Sequence, residues 1–168
     1  VVQPEDVLEL RETCVEPGHP LRTRRIAALG RSPTGPLPIS VLQRREAIAG
    51  VRRIEQAYEL VTVRLADGRI TPIARLETVP RKLVSAAQGS TIGWLTLDGS
   101  VYAADLASEP KLLGRTTDNN LCISPNGQHM AWMNGGRLEI VDLVEGVMHQ
   151  MVARPGVLDI QWAGLSGT

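Results

Sequence analysis

At 168 residues the chain is long enough for one domain with a substantial core or for two small ones. Its 18 basic residues are matched by 18 acidic ones, so no global attraction to nucleic acid or an anionic membrane is expected. Hydrophobic residues make up 43% and charged ones 21%, too apolar a mixture for a disordered chain, and no apolar run reaches the roughly 18 residues of a membrane span.

The first part of the chain, residues 1–56, reads as an Arg-rich segment with a Pro/Gly connector. Pro4-Glu-Asp-Val-Leu-Glu-Leu-Arg11 has the proline and acids of a first helical turn. The longer stretch from Asp6 to Leu29 also fits a hairpin turning at Glu16-Pro17-Gly18. Gly30-Arg-Ser-Pro-Thr-Gly-Pro-Leu-Pro38 is an extended connector. After it, residues 40–56 admit two readings. One is a helix capped by Ser40, with Ala47, Ile48, Val51, Ile54 and Tyr58 on one face; the other makes Ala49–Glu55 a strand of the first repeat. The helix is the leading expectation, and Gly50 weighs against it.

From residue 57 to 168 the pattern is β throughout. Turn signals at Asp67-Gly68, Gln88-Gly89-Ser90, Asp98-Gly99, Asn126-Gly127, Asn134-Gly135-Gly136 and Glu145-Gly146 separate runs of about four to seven residues. Within the runs apolar and polar residues alternate, as in Leu138-Glu-Ile-Val-Asp-Leu143. Two units then parse into four antiparallel strands each, near 82–86, 91–97, 100–106 and 110–115, and near 120–124, 128–133, 137–143 and 147–153. Arg75, Arg115 and Arg154 close successive units about 40 residues apart, and Trp94 and Trp132 repeat at a spacing of 38. A period of that size marks stacked supersecondary units.

The third unit, Ile123-Ser-Pro-Asn-Gly127-Gln-His-Met-Ala-Trp132 with Gly136-Arg-Leu-Glu-Ile-Val-Asp-Leu143, resembles a TolB-like, WD-type β-propeller repeat. Asn126 stands where that pattern has Asp, which keeps the turn chemistry. The second unit retains Trp94, Asp98-Gly99 and Asp105-Leu106. The first shows only its outer hairpin over 60–76, with Arg64 in place of an acid. The resemblance implies an all-β fold of propeller-type, four-stranded repeats with a short mixed N-terminal segment, and a bacterial cell-envelope setting. Val157-Leu-Asp-Ile-Gln-Trp162 is similar to the innermost strand of a further unit. A sheet left at that point has an open edge. A fragment, or a second chain completing the sheet, is expected; closure by the N-terminal hairpin is the other account.

No catalytic constellation, metal-ligand spacing or cofactor motif stands out, so no catalytic, metal or cofactor residue is expected. His129 and His149 fall on strands of one unit, where they can face each other. Cys122 reads as a small buried hydrophobe; a disulfide to Cys14 would need an oxidising compartment. Asp98, Asp105 and Asp142 recur in phase and are expected to bond loop amides. Trp94, Trp132 and Trp162 are expected to pack between units, each with a hydrogen bond available to its indole nitrogen.

Charge-based recognition has one candidate. Between Pro17 and Ile54 there are eight Arg and a single acid, Glu46. Arg22, Arg24, Arg25, Arg44, Arg45, Arg52 and Arg53, with Trp162 at the other end, are the candidate partner-binding residues. The expected role is a non-catalytic protein-interaction module, one piece of a larger assembly. The runners-up are the accessory propeller of a hydrolase or peptidase and nucleic-acid binding through residues 22–53. The last is disfavoured because that stretch lacks aromatic stacking residues.

Overall fold

The structure is a computed structural model; it describes residues 7–14 and 22–31 by their backbone and 38–42, 46–55, 57–106, 108–153 and 160–162 in full. Every regular element among them is a strand. β1 (Val7–Cys14) and β2 (Arg22–Arg31) form an antiparallel hairpin. Three four-stranded antiparallel sheets follow, each with its strands in chain order. The first comprises β3 (Ser40–Leu42), β4 (Ala47–Ile54), β5 (Ala57–Arg64) and β6 (Ile70–Leu76). The second comprises β7 (Lys82–Ser85), β8 (Thr91–Leu95), β9 (Ser100–Asp105) and β10 (Lys111–Arg115). The third comprises β11 (Leu121–Ile123), β12 (His129–Asn134), β13 (Arg137–Asp142) and β14 (Met148–Val152). These are blades, and the expected all-β, propeller-type class is what the chain adopts.

The helix expected over 40–56 is not formed. A strand buries alternate residues, and Ala47, Ala49 and Val51 are 6%, 0% and 1% exposed, joining Leu60 against the second blade. Glu46, at φ 45°, turns the chain between β3 and β4, and its carbonyl accepts from Leu65 N at 2.7 Å. Ser40 is no cap: its Oγ lies 2.7 Å from Ser85 Oγ on the next blade's innermost strand. The first unit is therefore a complete blade, and residue 57 opens its third strand. The helical start read at Pro4–Arg11 is replaced by β1 from Val7 on, and Pro4–Asp6 lie outside the described residues.

Two apolar clusters hold the blades together. Leu42, Ala49, Val51, Leu60, Ile92 and Trp94 join the first blade to the second. Leu95, Val101, Leu121, Met130, Trp132 and Val141 join the second to the third. Trp94 and Trp132, 2% and 0% exposed, occupy corresponding places in consecutive blades, which explains their repeat. Trp132 lies over the outer strand of the preceding blade, where a Cβ on Gly114 would come within 2.8 Å of its ring. The indole N–H groups of Trp94, Trp132 and Trp162 meet no acceptor among the described residues. Burial of their large rings contributes contact area between the blades.

The innermost strands converge. Residues of β3, β7 and β11, together with Ile160 and Gln161, line a shared space of about 310 Å³. The blades thus fan about one axis, and residues 160–162 sit where the innermost strand of a further unit was expected. At the other end, β2 runs beside β4. Val61 and Val63 point away from the second blade and are still buried, at 0% and 1% exposure. The hairpin occupies the side on which a preceding blade would stack.

Candidate functional site

The turns fix the repeat-phased acids. Asp142 Oδ1 accepts from Val144 N at 2.8 Å and Glu145 N at 2.9 Å, while its Oδ2 lies 3.4 Å from His129 Nε2. The amides of Glu145 and Val144 hold its carboxyl below the usual carboxylate range. Asp98 takes the hydroxyls of Thr96 at 2.5 Å and Ser100 at 2.8 Å, which bring it down to about 2. Asp105 accepts from Ser90 Oγ at 2.8 Å. Asp142 thus binds loop amides, as expected, whereas the contacts of Asp98 and Asp105 are chiefly with side-chain hydroxyls. In the first blade, where Arg64 replaces the acid, the turn is closed by Asp67 instead. Arg64 Nε donates to Asp67 Oδ1 at 2.8 Å, and Asp67 also accepts from Arg69 N at 3.1 Å.

His129 and His149 do not face each other. On the third sheet His129 stands opposite Asp142 and His149 opposite Ile140, and both favour the charged form of Asp142. The Trp162 ring lies 5.9 Å from that of His129, tilted by 43°. Trp162 is half-buried beside the third blade. Cys122 is half-buried on β11, opposite Ala131.

Of the candidate arginines, Arg52 and Arg53 on β4 have described side chains. Arg22, Arg24 and Arg25 lie on β2, opposite Cys14, Glu12 and Arg11. Arg44 and Arg45 lie outside the described residues. Arg52 Nη2 lies 2.6 Å from Glu59 Oε2, and its Nε donates to the same oxygen at 2.7 Å. Arg53 Nε donates to the Glu55 carbonyl at 3.2 Å. The Arg52 charge is thus spent within its own sheet.

Clefts open between blades, and two of them are large. One, of about 380 Å³, lies between the second and third blades and is lined by Thr91, Asp105, Lys111, Asp142 and Glu145. The other, of about 520 Å³, lies between the first and second and includes Arg75, Asp98 and a Tyr102 ring stacked on Trp94 at 5.5 Å. Among the described residues no three His, Cys, Asp or Glu side chains come close enough to hold a metal ion.

The most unusual surface is one that sequence reasoning passed over: the outer edge of the third blade. All five residues of β14 are exposed. Val144, Val147, Met148, Met151 and Val152 are 76%, 43%, 41%, 58% and 87% exposed along the turn and the edge strand, with Val147 and Met151 on one face of the sheet and Met148 and Val152 on the other. The other outer strands are guarded. β6 carries Pro72 beside a break in register, and β10 carries Lys111 and Arg115 with a break between Leu112 and Gly114. Proline, charge and bulges are the usual means of stopping a sheet edge from pairing. β14 has none of these: Met148-His-Gln-Met-Val152 is unbroken in register from Val141↔Met148 to Arg137↔Val152. A comparison of the three outer strands for charge and proline would have found it.

No family model and no curated protein sequence matches the chain. Solved structures do. TolB from Acinetobacter baumannii superposes with a TM-score of 0.57 at 14% identity, covering 84% of this chain and 40% of that one. The tricorn protease gives 0.59 at 11%, over 89% of this chain and 18% of that one. An oligogalacturonate lyase in complex with manganese gives 0.54 at 13%, over 86% and 50%. The chain thus spans half or less of the length of these proteins. At such identities the likeness establishes the propeller-type, TolB-like fold and leaves activity open.

Proposed function

We propose that this chain is a non-catalytic protein-interaction module that engages a protein partner at the outer rim of its third blade. The observation that carries the reading is the exposure of the uncharged, apolar Val144, Val147, Met148, Met151 and Val152 along an edge strand without guards. Exposed apolar surface is where soluble domains bind other proteins, and exposed methionines adapt to a partner's shape. The rim is favoured over the arginine segment because Arg52 already serves Glu59. A non-catalytic role is supported by Asp98 and Asp142, whose oxygens are taken up by local donors. The same proposal adopts the cell-envelope setting that the TolB-like repeat implies.

The test is site-specific photo-crosslinking in cells from positions 144 and 152, with position 112 on β10 as control. The partner is then purified and titrated calorimetrically. A single protein captured from 144 and 152 but not from 112, with affinity lowered about tenfold by Met151→Lys, is expected. Equal capture from all three positions contradicts the reading, as does hydrolase activity in the isolated chain.

A further inference from the structure

The first blade departs from its neighbours where its third strand ends. β5 closes on Arg64, whereas β9 closes on Asp105 and β13 on Asp142. Consecutive blade pairs form equivalent clefts beside these residues. Between the second and third blades, the cleft takes Thr91, Ala103, Asp105 and Lys111 from one blade and Leu143 from the next. Between the first and second, a smaller cleft of about 190 Å³ takes Ala47, Thr62, Arg64, Arg69 and Thr71 from one blade and Leu106 from the next. The registers match position by position. Ala47 pairs with Arg64 as Thr91 pairs with Asp105, and Thr62 pairs with Thr71 as Ala103 pairs with Lys111.

Within this shared frame the chemistry changes sign. The cleft between the second and third blades sets Asp105, Asp142 and Glu145 against Lys111. The smaller one is lined by two guanidinium groups, two hydroxyls and no carboxylate, so each polar side chain on it is a donor. Thr62 is 8% exposed, and its hydroxyl has no hydrogen-bond partner among the described residues; the equivalent Ala103 needs none. A nearly buried hydroxyl left unpaired costs free energy unless an acceptor comes to it. Arg64 gives Nε and Nη2 to Asp67, which fixes its guanidinium plane and leaves Nη1 uncommitted. Asp67 also accepts from the Arg69 amide and does not line the cleft. Its charge is matched by Arg64, and the Arg69 guanidinium, without an ion pair among the described residues, supplies a net positive charge. The volume lies below the roughly 300–1,000 Å³ of sites for drug-sized ligands and suits one small group.

From these observations we propose that the cleft between the first and second blades binds a tetrahedral oxyanion, a phosphate or sulfate group, held by Arg64, Arg69, Thr62 and Thr71. Guanidinium forks and hydroxyls are the donors such a group takes. Its four oxygens point in different directions and so serve donors spread over two strands and a turn, which a planar carboxylate serves less well. Arg69 and Thr71 are exposed at the mouth, so the group is either a free ion or one carried on a larger molecule. With one uncommitted guanidinium and much of the site open to solvent, a dissociation constant of ~0.1–1 mM is expected. The site is separate from the third-blade rim and independent of its reading.

Titration of the whole chain with inorganic phosphate at constant ionic strength, followed by amide NMR shifts, tests it, with sulfate, acetate and O-phosphoserine as further arms. Saturable shifts confined to residues 62–71 and Leu106 are expected, with Leu143 in the equivalent cleft unmoved. Sulfate should behave like phosphate, and acetate should bind about tenfold more weakly. Arg69→Gln and Thr62→Val should each lower phosphate affinity about tenfold. Without anion, Thr62→Val should melt at or above the wild type, because it removes an unpaired hydroxyl in a nearly isosteric change. Saturating phosphate should then raise the melting temperature of the wild type and not of the variant. Tighter binding of O-phosphoserine than of phosphate assigns a carried group, and equal or weaker binding assigns the free ion. Shifts that grow linearly with concentration and spread over the exposed arginines overturn the proposal. So does an affinity unchanged in Arg69→Gln, or acetate binding as tightly as phosphate. Should Thr62→Val fail to fold, Arg69→Gln, whose side chain is exposed, decides the matter alone.

Discussion

If blades stack through Trp132 on the outer strand of the preceding blade, Gly114→Val should destabilise the protein although valine is a better strand residue. The backbone at Gly114 makes no demand for glycine; the neighbouring ring does. A Cβ there would stand 2.8 Å from Trp132 Cζ2, and that ring is fully buried and held by the second apolar cluster. Ordinary contact begins near 3.4 Å, so the ring or the strand must move by more than half an ångström, before valine's two methyl groups are placed. Overpacking of that kind costs about 1–3 kcal/mol, against which strand propensity returns roughly 0.5–1 kcal/mol. The net expectation is a loss of about 1–2 kcal/mol. Trp132→Leu alone should cost about 2–4 kcal/mol through lost contact and cavity. In that background Gly114→Val should become neutral or stabilising, giving a coupling of about 1–3 kcal/mol between the two sites. Urea denaturation of the four proteins, with the slope checked for constancy, measures the cycle. Additive effects would falsify the packing of Trp132 on β10.

Three other outcomes follow from particular residues. Gly99→Ala should cost about 2 kcal/mol or more, because Gly99 sits at φ +84° and a Cβ would meet the Thr116 carbonyl oxygen at 2.2 Å; thermal melting checks it. Asp98 is held at about 2, below the ordinary aspartate value of 3.8, so its contribution is present above pH 3.8 and is lost as pH falls towards 2. Asp98→Asn should therefore flatten the stability profile between pH 4 and 2, and an unchanged profile would show that Thr96 and Ser100 do not stabilise the carboxylate. Retention on immobilised DNA at about 150 mM salt should be absent, and Arg24→Gln, Arg25→Gln, Arg52→Gln and Arg53→Gln together should change nothing; strong salt-dependent binding abolished by those changes would favour the nucleic-acid reading instead.

The blades were legible because their signals are local. Asn-Gly and Asp-Gly turns and alternating apolar residues specify strands within a short window, Trp94 and Trp132 mark a repeat 38 positions apart, and the eight strands of the second and third blades fall close to where they were expected. The first blade was only half legible. Ala47, Ile48, Val51 and Ile54 satisfy a helical face as well as a strand, and what decided between them was distant: Leu60 across the sheet and the second blade's Ile92 and Trp94. Charge drew the functional reading to the arginines, where the structure shows Arg52 paired with Glu59 inside one sheet. The rim on β14 escaped notice because its signal is a lack of charge, meaningful only once β6 and β10 are known to be edges too.

The central functional claim is that the third-blade edge binds another strand, and amide hydrogen exchange measures that edge directly. Exchange compared with and without the protein captured at that rim should show slowing concentrated in residues 147–153, with the corresponding edges at β6 and β10 unchanged. Exchange in 147–153 that is indifferent to the captured protein would contradict the account.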